Sequence, residues 1–153
     1  MELDDIDKHI LLELQRDGRP SNQELADRVG LSPSPCLRRV RNLQDAGVIE
    51  KYAAIVSAPT VGLPITAFVR LTLLSHAAGV VDEVEERLRQ IPEVVEAYLL
   101  AGDDDYLAKI VVPSFDAYED LLRLHIREIP QLSSIKTTFA FGITKTTSPL
   151  PIA

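Results

Sequence analysis

Residues 21–49 constrain the fold of this chain more than any other stretch, because they carry the signals of two short helices joined by a tight turn. Ser21 and Glu24 are spaced as a capping box, which predicts a helix that begins directly after the serine. Gly30 stands where a helix end favours a residue of positive φ. Pro33 suits the first position of the next helix, where its missing N–H has no acceptor to lose. Together these signals predict a helix-turn-helix.

The second helix of this pair has one apolar side and one side suited to DNA. Cys36, Val40 and Leu43 recur at spacings of four and three, which predicts the buried side. The opposite side carries hydroxyl, amide and guanidinium groups, which bind phosphates and the edges of bases. Three arginines alone fit a solvated helix face equally well, but the capping box, the glycine turn and the prolines favour DNA. The candidate DNA-binding residues are Ser32, which is also the expected helix cap, Ser34, Arg38, Arg39, Arg41 and Asn42.

The charge distribution supports a focused DNA contact, although the formal net charge of the chain is −7. Residues 1–57 carry −2 and residues 58–153 carry −5. Positive charge is concentrated on the arginine-bearing helix, and the acidic remainder repels DNA elsewhere. This pattern favours a site-directed reader of double-stranded DNA over a protein that coats it.

The N-terminal domain is predicted to span residues 1–57. Asp4 or Asp5 can cap a first helix, so three helices precede residue 48. The segment 48–57, VIEKYAAIVS, is rich in β-forming residues and is predicted to form a wing or hinge strand. Residues 58–64 hold two prolines and a glycine and are predicted to be a linker.

The rest of the chain, residues 65–153, alternates strand and helix patterns. Strands are predicted over 65–74, 94–101, 106–112 and 135–143, and helices over 80–91 and 115–129, with an extended tail from 144. The order β-α-β-β-α-β is that of a ferredoxin-like domain, so the fold class is α+β. His125 falls in line with apolar residues of the second of these helices and is predicted to face a core or a subunit contact.

No pattern in the sequence indicates catalysis. There is no phosphate loop, dinucleotide-binding glycine pattern, nucleophile elbow or zinc-ligand spacing, so no catalytic residue, metal or cofactor is predicted. The single cysteine, Cys36, excludes an internal disulfide and is predicted to be a core residue. The acidic start MELDDIDKHI lacks a signal-peptide pattern, and no apolar run has membrane-spanning length. We therefore expect a cytoplasmic protein with no membrane partner.

The stretches LSPSPCLRRVRNLQDAGVI, GDDDYLAKI and TKTTSPLPI, in this domain order, closely resemble the Lrp/AsnC (feast/famine) family of transcriptional regulators. The resemblance covers essentially the whole chain. It implies a winged helix-turn-helix domain followed by a RAM/ACT-like module of ferredoxin-like fold that senses amino acids. It also implies homodimers that assemble to octamers, with an amino-acid effector bound between subunits.

The resemblance places the effector at the turn Gly-x-x-Asp-Tyr, residues 102–106, which we call the effector loop. Backbone N–H groups at such a turn can hold a carboxylate, and an aspartate can pair with an ammonium group. Without the resemblance, the sequence of this loop fits an ordinary turn with three solvated acids. Three adjacent aspartates are more than one ammonium group needs, so a basic ligand, a bound cation or no ligand remain alternatives. The candidate effector-binding residues are Gly102, Asp103, Asp105, Tyr106, Ser134 and Thr137.

Two other functions are compatible with parts of this pattern. Some tetrapyrrole decarboxylases of haem pathways resemble the family in both domains, but they need basic and histidine side chains around the pocket, and here the loop is acidic. A DNA-architectural protein that ignores ligands has the same sequence features. If three arginines of each subunit in a dimer contact phosphates, log affinity falls with log salt at a slope of about −5.

Overall fold

The computed structural model describes residues 2–152, which divide into two compact units. The first comprises the chain up to Ile55 together with the stretch from Thr144 onward, and the second runs from Val56 to Ile143. The elements in chain order are α1 (Asp5–Arg16), α2 (Asn22–Val29), α3 (Pro33–Asp45), β1 (Ile65–Leu73), α4 (Ala78–Gln90), β2 (Val94–Leu99), β3 (Tyr106–Val112), α5 (Phe115–Leu121), a π-helical turn (Leu122–Ile126) and β4 (Leu132–Phe139).

The first unit is a three-helix bundle around a small apolar core. Local capping residues set the ends of α1 and α2. Asp4 caps the start of α1, Ser21 caps the start of α2 in the predicted capping box, and Gly30 ends α2 at φ +70°. The core contains Ile10, Leu25, Ala26, Cys36 and Leu43, none more than 3% exposed. The C-terminal tail belongs to this unit, since Ile152 packs against the same core and the Leu150 N–H donates to Gln15 Oε1 at 2.6 Å. The domain limits predicted from the sequence, 65–153 for the second domain, include this tail.

The second unit is a four-stranded antiparallel sheet in the order β2-β3-β1-β4, with α4 and α5 on one face. Alternate residues of β1 are buried beneath those helices: Ala67, Val69, Leu71 and Leu73. The strand order and the two crossing helices match the predicted ferredoxin-like fold. Thr66, Phe68, Arg70 and Thr72 point to the opposite face, which we call the open face.

The segment 48–57 is not a strand, contrary to the prediction. The N–H groups of Val48 and Ile49 bond to the Leu43 carbonyl at the end of α3, and the rest runs without a partner strand among the described residues. Ile55 is 89% exposed. High β propensity alone does not make a strand, because an unpaired strand leaves its backbone groups without protein partners.

The last strand and the last helix also differ from the predictions. Strand β4 begins at Leu132 instead of 135 and ends at Phe139, which pairs with Ala67 of β1. The predicted helix 115–129 changes to a π-helical turn after Leu121, where the Arg127 N–H bonds to the carbonyl five residues earlier. That turn brings Ile126 into the core and leaves His125 exposed. His125 therefore does not face the core of this chain, and its predicted role at a subunit contact stays a prediction.

Among residues 2–152, no helix combines the length and the apolar character that crossing a bilayer requires.

Candidate functional site

The position of α3 in the first unit is fixed by contacts at its start and along its apolar side. The Asn22 side-chain amide donates to the Pro33 carbonyl at 2.8 Å, which joins the first turns of α2 and α3. Cys36 and Leu43 are fully buried against α1 and α2, as predicted. Burial raises the pKa of the Cys36 thiol, so this side chain is a neutral core residue. The opposite side of α3 is therefore turned away from the core.

Arg38 and Arg41 lie on this outward side and are exposed. Within residues 2–152, neither guanidinium has a carboxylate within ion-pairing distance. Ser34 and Asn42 are exposed on the same side of the helix. Unpaired guanidinium groups beside a hydroxyl and an amide form the kind of surface that binds phosphates and base edges. We call these four residues the α3 face.

Arg39 differs from its two neighbours. Its Nη1 donates to Asp7 Oδ1 at 2.7 Å and to Asp4 Oδ2 at 2.8 Å, both on the first turn of α1 or just before it. The hydrogen bonds from Arg39 to Asp7 and then Asp4 raise the pKa of Arg39. The pKa of Asp4 is lowered, first by the Asp7 backbone N–H and then by Arg39. Arg39 is thus already paired, and we remove it from the candidate DNA contacts.

Ser32 occupies the cap position of α3, but its side chain makes no capping hydrogen bond. Ser32 is therefore at the predicted cap position by its backbone only, and the residue is exposed. Pro35, the third residue of α3, has no N–H to donate to a capping side chain, so the cap contributes less here than usual.

The effector loop lies beside the end of β1 in the second unit. The Asp105 N–H donates to the Leu71 carbonyl at 2.9 Å, and the Asp105 carboxylate accepts from the Leu73 N–H at 2.7 Å. Its other oxygen lies 2.7 Å from His76 Nε2. Asp105 thus secures the loop to the β1–α4 connection, and its carboxylate already has partners on both oxygens.

The neighbouring acids of the loop have different environments. Asp104 Oδ1 accepts from Lys136 Nζ at 3.0 Å and from Thr72 Oγ1 at 3.2 Å on the open face. The pKa of Asp104 is lowered, chiefly by Lys136. Gly102 and Asp103 are exposed, and within the described part of the chain the Asp103 carboxylate has no hydrogen-bond or ion-pair partner. Asp103 is therefore the acid of this loop that remains available to a ligand.

Tyr106, Ser134 and Thr137 do not converge on one point within this chain. Tyr106 is 3% exposed on the helix side, its hydroxyl 3.4 Å from Glu85 Oε1, and it lines a cavity of about 300 Å³. Burial raises the pKa of Tyr106 to about 12. Ser134 pairs with Thr72 on the open face and lines a different cavity of about 320 Å³. Thr137 faces the helices, where its hydroxyl bonds to the Tyr118 hydroxyl.

The contacts of the Asp105 carboxylate with the Leu73 N–H and His76 predict a specific pH dependence of the protein's stability. The Leu73 N–H and then His76 lower the pKa of Asp105 below its ordinary value of 3.8. A lowered folded-state pKa stabilises the fold above about pH 4, and this stabilisation is lost as pH falls through the lowered value. In thermal melts between pH 7 and pH 3, Asp105→Asn should have a lower melting temperature than the wild type at pH 7. The difference in melting temperature should narrow below pH 4. The control Asp103→Asn should melt like the wild type at pH 7. A gap for Asp105→Asn that is constant with pH would contradict this assignment.

No local sequence signal identifies the residues that hold these sites in place. The partners of Arg39 are 32 and 35 positions away in the chain, and His76 is 29 positions from Asp105. Lys136 and Arg70 lie beside Asp104 because they are paired across β4 and β1, which only the strand register reveals.

Comparison with known protein families matches both halves of the chain. Residues 66–150 match the model of the Lrp/AsnC ligand binding domain, and residues 3–50 match a winged helix-turn-helix DNA-binding model. The leucine-responsive regulatory proteins of Escherichia coli K12 and Klebsiella pneumoniae are each 41% identical over 136 residues, which is 89% of this chain and 83% of theirs.

Solved structures give the same result. A transcriptional regulator from Neisseria meningitidis in complex with L-Met superposes with a TM-score of 0.93 at 35% identity, covering 98% of this chain and 97% of that one. An AsnC family regulator from Agrobacterium tumefaciens gives 0.92 at 35% identity, covering 97% of both chains. Escherichia coli AsnC gives 0.87 at 26% identity, covering 97% of this chain and 98% of that one.

Proposed function

Because the chain belongs to the Lrp/AsnC family of DNA-binding transcriptional regulators, we propose that it recognises its operators through the α3 face, presented twice by a symmetric pair of subunits. The proposed contacts are Ser34, Arg38, Arg41 and Asn42. In this arrangement two α3 helices enter successive major grooves, with half-sites about 34 Å apart or a multiple of that.

The observation that carries this proposal is the contrast between the arginines of one helix. Arg39 has two carboxylate partners, whereas Arg38 and Arg41 are exposed without any among the described residues. Guanidinium groups without protein partners on the outward side of a helix-turn-helix are free to bind phosphate oxygens or the O6 and N7 atoms of guanine. We assign Ser34 and Asn42 to base edges or phosphates next to them.

We propose further that the second unit binds a free amino acid at the effector loop. Among the described residues, the N–H groups of Gly102, Asp103 and Asp104 have no acceptor, so they are available to the ligand carboxylate. Asp103 is the proposed partner of the ligand ammonium, because both oxygens of Asp105 are engaged. The L-Met complex and the leucine-responsive relatives support an effector with an apolar side chain.

The separation of the predicted effector residues supports a site shared between subunits. Tyr106 and Ser134 line different cavities of one chain. A ligand that contacts both residues would therefore take one of them from a second subunit. We propose that homodimers assemble to octamers and that the effector acts on this assembly, in the cytoplasm where its DNA partner lies. The effector can change DNA affinity only as far as it binds the two assembly states with different affinity. Such coupling free energies are typically about 1–3 kcal/mol.

Selection of bound fragments from a random DNA pool tests both halves of the proposal. With purified protein, we expect enrichment of paired half-sites about one helical turn apart, and a shift in bound fraction when a mixture of the twenty amino acids is present. DNA binding without enriched half-sites would indicate an architectural protein and contradict the operator proposal.

The effector proposal has its own variant test. Asp103→Asn should reduce the response to the amino-acid mixture, measured as the change in assembly size by light scattering, by about tenfold in effective concentration, since it removes one charge-assisted hydrogen bond. The matched control Asp82→Asn removes an exposed acid from α4 and should respond like the wild type. An unchanged response of Asp103→Asn would overturn the assignment of that residue.

A further inference from the structure

The contacts of Arg39 have a reciprocal geometry. Asp4 and Asp7 form the capping box of α1, in which the Asp7 N–H donates to Asp4 Oδ1 at 2.8 Å and the Asp4 N–H lies 3.4 Å from Asp7 Oδ2. The remaining oxygen of each carboxylate, Asp4 Oδ2 and Asp7 Oδ1, accepts from Arg39 Nη1. Each carboxylate therefore uses one oxygen for its helix and the other for the guanidinium.

Asp7 is more enclosed than any other charged side chain of the described residues. It is 8% exposed and is the one buried charged residue among positions 2–152. The Arg39 side chain is 28% exposed, less than an unrestrained surface arginine. A carboxylate that is buried and bonded to a guanidinium is costly to leave unpaired, so this contact persists unless a stronger anion replaces it.

The balance of charge at this cluster is negative. Two carboxylates surround one guanidinium, so the cluster as a whole carries −1 and offers no net attraction to phosphate. A third arginine on a recognition helix would otherwise add a phosphate contact at every DNA sequence, because phosphate contacts carry no sequence information. Asp4 and Asp7 instead accept the hydrogen bonds of Arg39 Nη1.

Resting on the proposed DNA contact of the α3 face, we infer that Asp4 and Asp7 withhold Arg39 from DNA. Arg39 is then a positioning residue that holds α3 against α1, and its pairing limits binding to non-operator DNA. The α3 face then reaches DNA with two arginines per subunit. Specificity rises because the sequence-independent part of the binding energy is reduced while the base-reading side chains are unaffected.

The test is the salt dependence of binding to non-operator duplex DNA by fluorescence anisotropy. Asp4→Asn/Asp7→Asn keeps side-chain oxygens for the helix cap but releases Arg39, so the slope of log K against log salt should steepen by about 1.8 for two subunits. Between 50 and 200 mM salt the variant should lose about twelvefold more affinity than the wild type. The control Glu2→Gln/Asp5→Asn removes two exposed acids at the same end of α1, neither of them in contact with Arg39, and should leave the slope unchanged.

Arg39→Met in the otherwise wild-type chain gives an independent readout, because it removes the guanidinium and leaves the residues of the α1 capping box unchanged. We expect its non-operator slope to equal that of the wild type, because Arg39 makes no DNA contact there. A slope shallower by about 1.8 would overturn the inference, since it would place Arg39 on phosphates in the wild type. An Asp4→Asn/Asp7→Asn slope equal to that of the Glu2→Gln/Asp5→Asn control would overturn it as well.

Discussion

Replacing Arg38 and Arg41 together by alanine is expected to lower operator affinity by at least about 1,000-fold, because each good arginine contact with DNA contributes about 1–3 kcal/mol and a pair of subunits loses four. Thermal stability should change little, since both side chains are exposed and neither contacts a carboxylate among the described residues. Anisotropy titrations with a selected operator and a thermal melt of the same sample measure both quantities.

The matched control for this variant is Arg16→Ala/Arg19→Ala. It removes two arginines of the same unit, at the end of α1 and beyond it, that are not part of the α3 face. Operator affinity should stay within about threefold of the wild type at 0.15 M salt, because neither arginine is a proposed contact and salt screens long-range attraction. Equal losses in the two double variants would show that total charge, and not the α3 face, determines binding.

The second large effect is expected on the other side of the same helix. Leu43 is fully buried in the core of the first unit, so Leu43→Ala should lower the free energy of unfolding by about 2–5 kcal/mol through lost burial and a residual cavity. Chemical denaturation followed by circular dichroism measures this loss. DNA affinity should fall only to the extent that the unit unfolds.

Leu37→Ala is the control for packing, because Leu37 lies on α3 and is 38% exposed. Its cost should stay below about 1.5 kcal/mol, since much of the side chain is already in contact with water. Should Leu43→Ala cost no more than Leu37→Ala, the assignment of the buried and outward sides of α3 would be wrong.

Local signals in the sequence were sufficient for the helix-turn-helix. The capping box of Ser21 and Glu24 and the positive φ of Gly30 are properties of adjacent residues, and both are found where the spacing predicts them. The buried positions of α3 follow from helical periodicity in the same way. These features depend on interactions over a few residues, so the sequence alone determines them.

Features that depend on distant partners were not predictable from periodicity. The bounds of β4 depend on its pairing with β1, and segment 48–57 is not a strand because no partner strand lies beside it within the described chain. The π-helical turn after Leu121 adds one residue to a helical turn, which rotates His125 out of the core position that an uninterrupted α-helix predicts.

The same limit applies to the candidate sites. Arg38, Arg39 and Arg41 look equivalent in the sequence, and the difference between them comes from Asp4 and Asp7 on another helix. Asp103 and Asp105 likewise differ because His76 and the Leu73 N–H reach only Asp105. Identifying which charged groups are free for a ligand therefore required the tertiary structure.

The most direct test of the account is the salt dependence of operator binding by the wild-type protein. Two arginines from each of two subunits give a predicted slope of log K against log salt of about −3.6. A slope near −5.4 would add Arg39 to the contacts. A flat titration would contradict the central claim that the outward arginines of α3 bind the phosphates of a duplex.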